Sequence, residues 1–229
     1  MNFVKNVERM EQIMFNHIPI STPILETAHF DGKHFYSIDG EKYPSITTIL
    51  HSFPNPGIEI WKSKTPNWKE IQNESFLVGI DLHFIIEFYL KNMEVCRSDF
   101  AKSLFENLKP ELDKIDNIQA QETRLYHKDL KVAGQVDLIG EYDGEKCIID
   151  FKQSRRKKLE KYVKSSGYYL QLCGYANMFE YCCGQKIDNG VVLIANWDGS
   201  TSVHKIKIDD YQDDLEALIE LYYNTENNR

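Results

Sequence analysis

Two aspartates and a lysine, Asp137, Asp150 and Lys152, stand in the apolar runs VDLI and IIDFK. Carboxylates in such surroundings are costly unless something offsets their charge. A divalent cation is the simplest offset, because Mg²⁺ takes hard oxygen ligands and is commonly held by one or two carboxylates plus a substrate phosphate. Lys152, two residues beyond Asp150, supplies further positive charge. The competing reading is a surface hairpin with solvated acids. Apolar residues on both sides of each acid favour a central strand instead.

Other residues could join this chemistry. His83 lies one helical turn after Gly79, which leaves room beside an imidazole that can ligate a metal, and Glu87 is a rival for the same role. Against this, a lone histidine in an apolar helix is more often a structural one. Gln171 and Tyr175, four apart on one face, either form a polar pair beside a core stripe or contact nucleic acid, the tyrosine by stacking or hydrogen bonding and the glutamine by holding a phosphate or base. Ser45 and Thr47 stand at a helix start, where hydroxyls and free N–H groups cap the helix or hold a phosphate. After Lys152 come Arg155, Arg156, Lys157, Lys158, Lys161 and Lys164 against the single acid Glu160. Such a run is a solvated face, or the place where an acidic polymer passes.

The elements that position these residues follow from periodicity. Val132 to Lys152 reads as a hairpin around Asp143-Gly144, a dipeptide suited to a type I′ turn. With Tyr142 opposite Glu145, Asp137 falls opposite Asp150, their Cβ atoms roughly 5 Å apart. The period-2 rule puts Gln135, Asp137, Ile139, Ile148, Asp150 and Lys152 on one face, and Val136, Leu138, Ile149 and Phe151 on the other. Residues 76–90 predict a buried helix, apolar almost all round. Residues 98–116 and 168–181 predict amphipathic helices, 120–126 a strand carrying Glu122, and 190–197 with 202–208 a second hairpin. A short helix over residues 1–16, a meander over 29–43, a helix from Ser45, and a last helix over 213–223 with a frayed tail complete the chain. Pro54, Pro56 and Pro66 break the segment around Trp61 and Trp68, which predicts an irregular flap.

The 229 residues suit one domain, with an N-terminal helix and meander over 1–43, a core over 44–210 and a C-terminal helix and tail over 211–229. No apolar run reaches the roughly 18 residues of a membrane span, and no signal-peptide pattern opens the chain, so an intracellular, cytoplasmic setting is expected. The five cysteines lack repeated spacing, which argues for reduced thiols rather than a disulfide framework or a zinc site. A net charge of -8 excludes broad, unspecific coating of polyanions, so any nucleic-acid contact is local.

Taken together, Gly134-Gln135-Val136-Asp137, Ile149-Asp150-Phe151-Lys152 and Gln171-Leu-Cys-Gly-Tyr175 resemble the PD-(D/E)XK nucleases, in particular the RecB-type exonuclease branch. Gly79-Ile-Asp-Leu-His83 looks like that branch's histidine motif. Pro44-Ser-Ile-Thr-Thr-Ile-Leu50 is similar to the start of the mitochondrial genome maintenance exonucleases and their phage relatives. The resemblance implies an α/β restriction-endonuclease-like core, a mixed central sheet flanked by helices. It implies that His83, Asp137, Asp150 and the Phe151 carbonyl bind Mg²⁺ or Mn²⁺, and that Lys152 lies beside the attacking water. The cysteines do not match the iron–sulfur members of the branch, so no cluster is expected. The implied activity is metal-dependent hydrolysis of DNA, as single strands or at strand ends, with replication or recombination proteins as partners and no membrane. A structure- or site-selective endonuclease of the same fold and a catalytically silent nucleic-acid-binding module are the alternatives.

Overall fold

The computed structural model describes residues 14–30, 33–95 and 97–227. A small antiparallel sheet, β1 (Glu26–Phe30), β2 (Lys33–Ile38) and β3 (Glu41–Pro44), comes first. The helices α1 (Ile46–His51), α2 (Pro56–Lys64), α3 (Trp68–Leu90) and α4 (Asp99–Leu112) follow. The main sheet then forms from β4 (Ile115–His127), β5 (Val132–Tyr142), β6 (Glu145–Ser154), β7 (Asn189–Asn196) and β8 (Thr201–Lys207), in that spatial order. Between β6 and β7 run α5 (Glu160–Ser165) and α6 (Tyr168–Cys183), and a 3-10 turn leads from β8 into α7 (Gln212–Asn227).

Asp143 and Gly144 both adopt positive φ, 52° and 78°. The tight turn fixes the register as expected, with Tyr142 opposite Glu145 and Leu138 opposite Ile149. β6 and β7 are parallel while every other neighbouring pair is antiparallel. A parallel pair needs a crossover, which α5 and α6 provide. Both faces of the sheet are covered. Val136, Ile139, Ile148, Val192 and Ile194 pack with α1, α6 and α7, while Leu138, Ile149, Phe151 and Leu193 pack with α3 and α4. The fold is therefore a mixed α/β architecture, a five-stranded mixed sheet flanked by helices. No helix among the described residues is long and apolar enough to cross a membrane.

Several expectations need correction. Val136 lies on the face of Ile139 and Ile148, not with Leu138. The alternation breaks beside Asp137, opposite Glu122, whose φ of 46° is left-handed and locally twists the paired strands. The proline-rich segment is not irregular, because Pro56 stands at the first helical position and Asn55 caps it by accepting from Gly57 and Ile58 N–H. α3 starts at Trp68 and is not buried all round, since Phe76, Leu77 and Ile80 are exposed. α7 continues to Asn227, past the expected fray. Most of the expected helix over 1–16 lies outside the described residues; residues 14–16 are not helical.

Gly134 marks where α6 approaches the hairpin. A Cβ built there would lie 2.7 Å from Tyr175 Cε1 and 3.3 Å from Met178 Cε. Gly134→Ala is therefore expected to destabilise the protein by about 1–3 kcal/mol through overpacking. A urea-unfolding midpoint equal to that of the wild type would refute this.

Candidate active site

The hairpin strands part at its open end. The β5–β6 ladder ends at Leu138–Ile149, one pair short of the two acids, and from there β6 continues along β7. Asp137 bridges the fork, its Oδ2 accepting from the Phe151 backbone N–H at 2.8 Å. On the other side, β4 pairs with β5 at Gln121–Leu138 and Thr123–Val136, which leaves Glu122 facing Asp137. The left-handed backbone of Glu122 costs on the order of 1 kcal/mol or more for a side chain with a Cβ, strain of the kind that collects at functional sites.

From α3, His83 Nδ1 comes within 3.7 Å of Asp137 Oδ2, and its ring meets Phe151 edge-on. His83, Glu122 and Asp137 each offer one ligand atom, all within 4.8 Å of one another. Gln135 Nε2 donates to Glu122 Oε2 at 2.6 Å, which orients that carboxylate. Burial, reinforced by the charge of Asp137, pushes the Glu122 carboxyl up to about 7.

Asp150 is completely buried. It forms an ion pair with Lys152, yet neither of its oxygens accepts a well-aligned hydrogen bond among the described residues. Burial raises its pKa; the Lys152 ammonium opposes that rise and Asp137 adds to it. For Lys152 burial works against the charge, but Asp150 and Asp137 outweigh it and hold the group as an ammonium. Tyr168 covers the same ammonium, 5.4 Å from its ring centroid. Tyr175 is kept a phenol by burial and by the nearby acids, and accepts from Gln171 Nε2 at 2.9 Å.

These residues fit a divalent ion. Among the described residues three carboxylates lie about the Lys152 ammonium, the donors are hard oxygens plus one imidazole, and the buried Asp150 has that ammonium as its ion-pair partner without a well-aligned hydrogen bond. The remaining candidates fall in different places. Ser45 is buried, and its Oγ caps α1 by accepting from Thr48 N–H at 3.0 Å while meeting Thr47 Oγ1 at 2.9 Å. Gln171 and Tyr175 are buried too, presenting no open face on which a base could stack. Arg155 pairs with Glu74 and lies 4.0 Å over Trp197, and Arg156 is exposed. Glu87 lines the same cleft but pairs with Lys91. Sequence reasoning missed Glu122 as a site residue; the pairing register of β4 against β5 would have placed it beside Asp137.

Because Gln135 orients a candidate ligand, Gln135→Leu is expected to weaken Mn²⁺ binding by about 10- to 100-fold, the usual effect of losing an outer hydrogen bond at a metal. Isothermal titration checks this. An unchanged affinity would mean that Glu122 does not depend on Gln135.

No family model matches the chain. Mitochondrial genome maintenance exonuclease 1 from Homo sapiens is 25% identical over 174 residues, 69% of this chain and 50% of the human protein. The Mus musculus protein of the same name is 29% identical over 173 residues, 69% of this chain and 51% of that one. The Xenopus tropicalis protein is 22% identical over 216 residues, 81% of this chain and 60% of that one. A protein of known structure from Eubacterium rectale aligns with a TM-score of 0.45 and 13% identity over 64% of each chain. The chain spans about half the length of the human and mouse proteins. It is homologous to mitochondrial genome maintenance exonuclease 1, the exonuclease-like relationship that its five ordered motifs implied.

Proposed function

We propose that this chain is a metal-dependent nuclease that hydrolyses phosphodiester bonds of DNA, acting as an exonuclease on single strands or strand ends. One observation carries the reading: a His83–Glu122–Asp137 cluster lies beside a buried Asp150–Lys152 pair at the fork of one hairpin. The relatives support it by their names, which describe them as exonucleases.

His83, Glu122, Asp137 and Asp150 would hold Mg²⁺ or Mn²⁺. Such an ion supplies two things when bound, an acidified water and positive charge at the phosphoryl oxygens. The chain's own residues do the rest. Asp150 holds Lys152 charged and in place. The ammonium then orients the attacking water and offsets negative charge that grows in the transition state. Asp137 ties the fork together through Phe151, so the acids and His83 keep one geometry as substrate enters. Residues 44–210 form the nuclease core in this reading, and α2 with the start of α3 caps the strand.

Digestion of linear and circular single-stranded DNA, labelled at either end, tests the proposal. The expected result is loss of the linear strand in Mg²⁺ or Mn²⁺, protection by EDTA, and survival of the circle. Cleavage of the circle would show an endonuclease, and binding of both strands without turnover would show a silent binding module.

A further inference from the structure

The cleft lined by His83 and Glu122 of the candidate metal cluster holds about 740 Å³ and has two unlike walls. On the β6 and α6 side stand Lys152 and Tyr168, with Lys158 Nζ 3.1 Å from the Tyr168 hydroxyl. On the α3 side stand Phe76, Ile80 and Phe84. Phe76 is 65% exposed and Ile80 48%, although both flank a cluster of charged groups. They are four residues apart, so they form one stripe on the helix. Gly79 lies in the same wall, and a Cβ built there would meet nothing within 4 Å, so the cleft stays open at that point.

The stripe is not a loose helix end. Gln153 Nε2 donates to the Ser75 carbonyl at 2.9 Å and Arg155 Nε to Ser75 Oγ at 3.1 Å, which tie this part of α3 to the end of β6. A fixed apolar wall therefore faces a cationic one. An unpaired strand has that same asymmetry, bases on one side and phosphates on the other. A duplex does not, because its bases are stacked inside and it shows phosphate on both flanks.

We propose that Phe76 and Ile80 are specificity-determining residues that receive the bases of an unpaired strand while its phosphates run along the Lys152, Tyr168 and Lys158 side. The proposal rests on the nuclease reading and adds an orientation to it. Every base has a π-face, so this wall discriminates unpaired from paired nucleotides with little regard to base identity.

The test measures strand affinity by fluorescence anisotropy in EDTA, where no cleavage occurs. Its probes are an oligothymidylate and a strand of equal length built largely of abasic residues. Phe76→Ala should weaken binding of the oligothymidylate by about 5- to 150-fold, the range that alanine substitution gives for one base stacked on an aromatic ring, and Ile80→Ala should weaken it in the same direction by less. Both should leave the abasic strand's affinity at its already weak wild-type value. Leu77→Ala, on an exposed residue that does not line the cleft, should change neither. Equal losses on both strands, no loss on either, or a wild type that binds neither strand would overturn the proposal. If the base-dependent loss is found but the wild type fails to cleave in Mn²⁺, the nuclease reading falls and the base wall stands.

Discussion

Lys152→Ala is expected to lower the rate of DNA cleavage by at least about 10²-fold, the scale for removing one group that stabilises transition-state charge. The same substitution should destabilise the fold in the absence of substrate. Asp150 is completely buried, and its described partner is the Lys152 ammonium. Breaking a buried ion pair by removing one member costs about 3–5 kcal/mol, because the other charge stays uncompensated. The Lys152 side chain is 20% exposed, which places the effect toward the lower end of that range. The stranded carboxylate can escape by taking a proton, so the loss should be full at pH 8 and small near pH 5. Adding Asp150→Asn to Lys152→Ala removes the buried charge and should restore stability without restoring cleavage. Urea unfolding at the two pH values, with a cleavage assay alongside, separates the two roles. Wild-type cleavage by Lys152→Ala would remove the lysine from the mechanism; a double variant no more stable than the single one would sink the ion-pair account.

Without metal, Glu122 and Asp150 should favour the fold more at pH 5.5 than at pH 8, against the opposite pull of His51 and His127, whose imidazoles burial holds below their ordinary value. Glu122 has its carboxyl raised from 4.5 to about 7 by burial first and then by Asp137, and Asp150 is raised for the same two reasons. A carboxyl whose pKa is higher in the folded than in the unfolded chain binds protons more tightly when folded. Its contribution is complete below the unfolded value and is lost as pH climbs through the folded one. For Glu122 that window runs from 4.5 to about 7, and the shift corresponds to about 3 kcal/mol as an upper bound for a partly exposed group. Glu122→Gln should flatten much of the slope. Mg²⁺ or Mn²⁺ at 100 times its Kd should return about 2.7 kcal/mol at pH 8, and less at pH 5.5 where protons compete. Thermal melts at both pH values, with EDTA and with Mn²⁺, check this. A metal-free Glu122→Gln variant whose pH slope matches that of the wild type would show that this acid is not packed as described.

The hairpin was legible in the chain because everything that sets it is local. Asp143-Gly144 favours positive φ, and two short apolar runs then pair in the only register the turn allows. The helices over α4, α6 and α7 and the β7–β8 hairpin followed in the same way from periodicity. The bringing together of acids and lysine at one end of that hairpin was thus read from neighbours in sequence. How they are held was not. The face of Val136 could not be read from alternation, since the break depends on a left-handed Glu122 lying across from Asp137 on another strand.

Composition likewise misled over α3. FLVGIDLHFIIEFYL looks buried on all sides, but burial depends on what the rest of the chain places against each face. α4 and the sheet cover Leu82, Ile85 and Ile86, and the cleft leaves Phe76 and Ile80 open. What the sequence determined alone was the inventory of reactive groups and the strand that carries most of them, since turn chemistry and period are set over a few residues. What the tertiary structure decided was how distant groups join them, with Glu122 brought in from a neighbouring strand and His83, already singled out on its helix, brought within 3.7 Å of Asp137. Those depend on contacts between segments far apart in the chain, where the backbone of one element must yield to the packing of another.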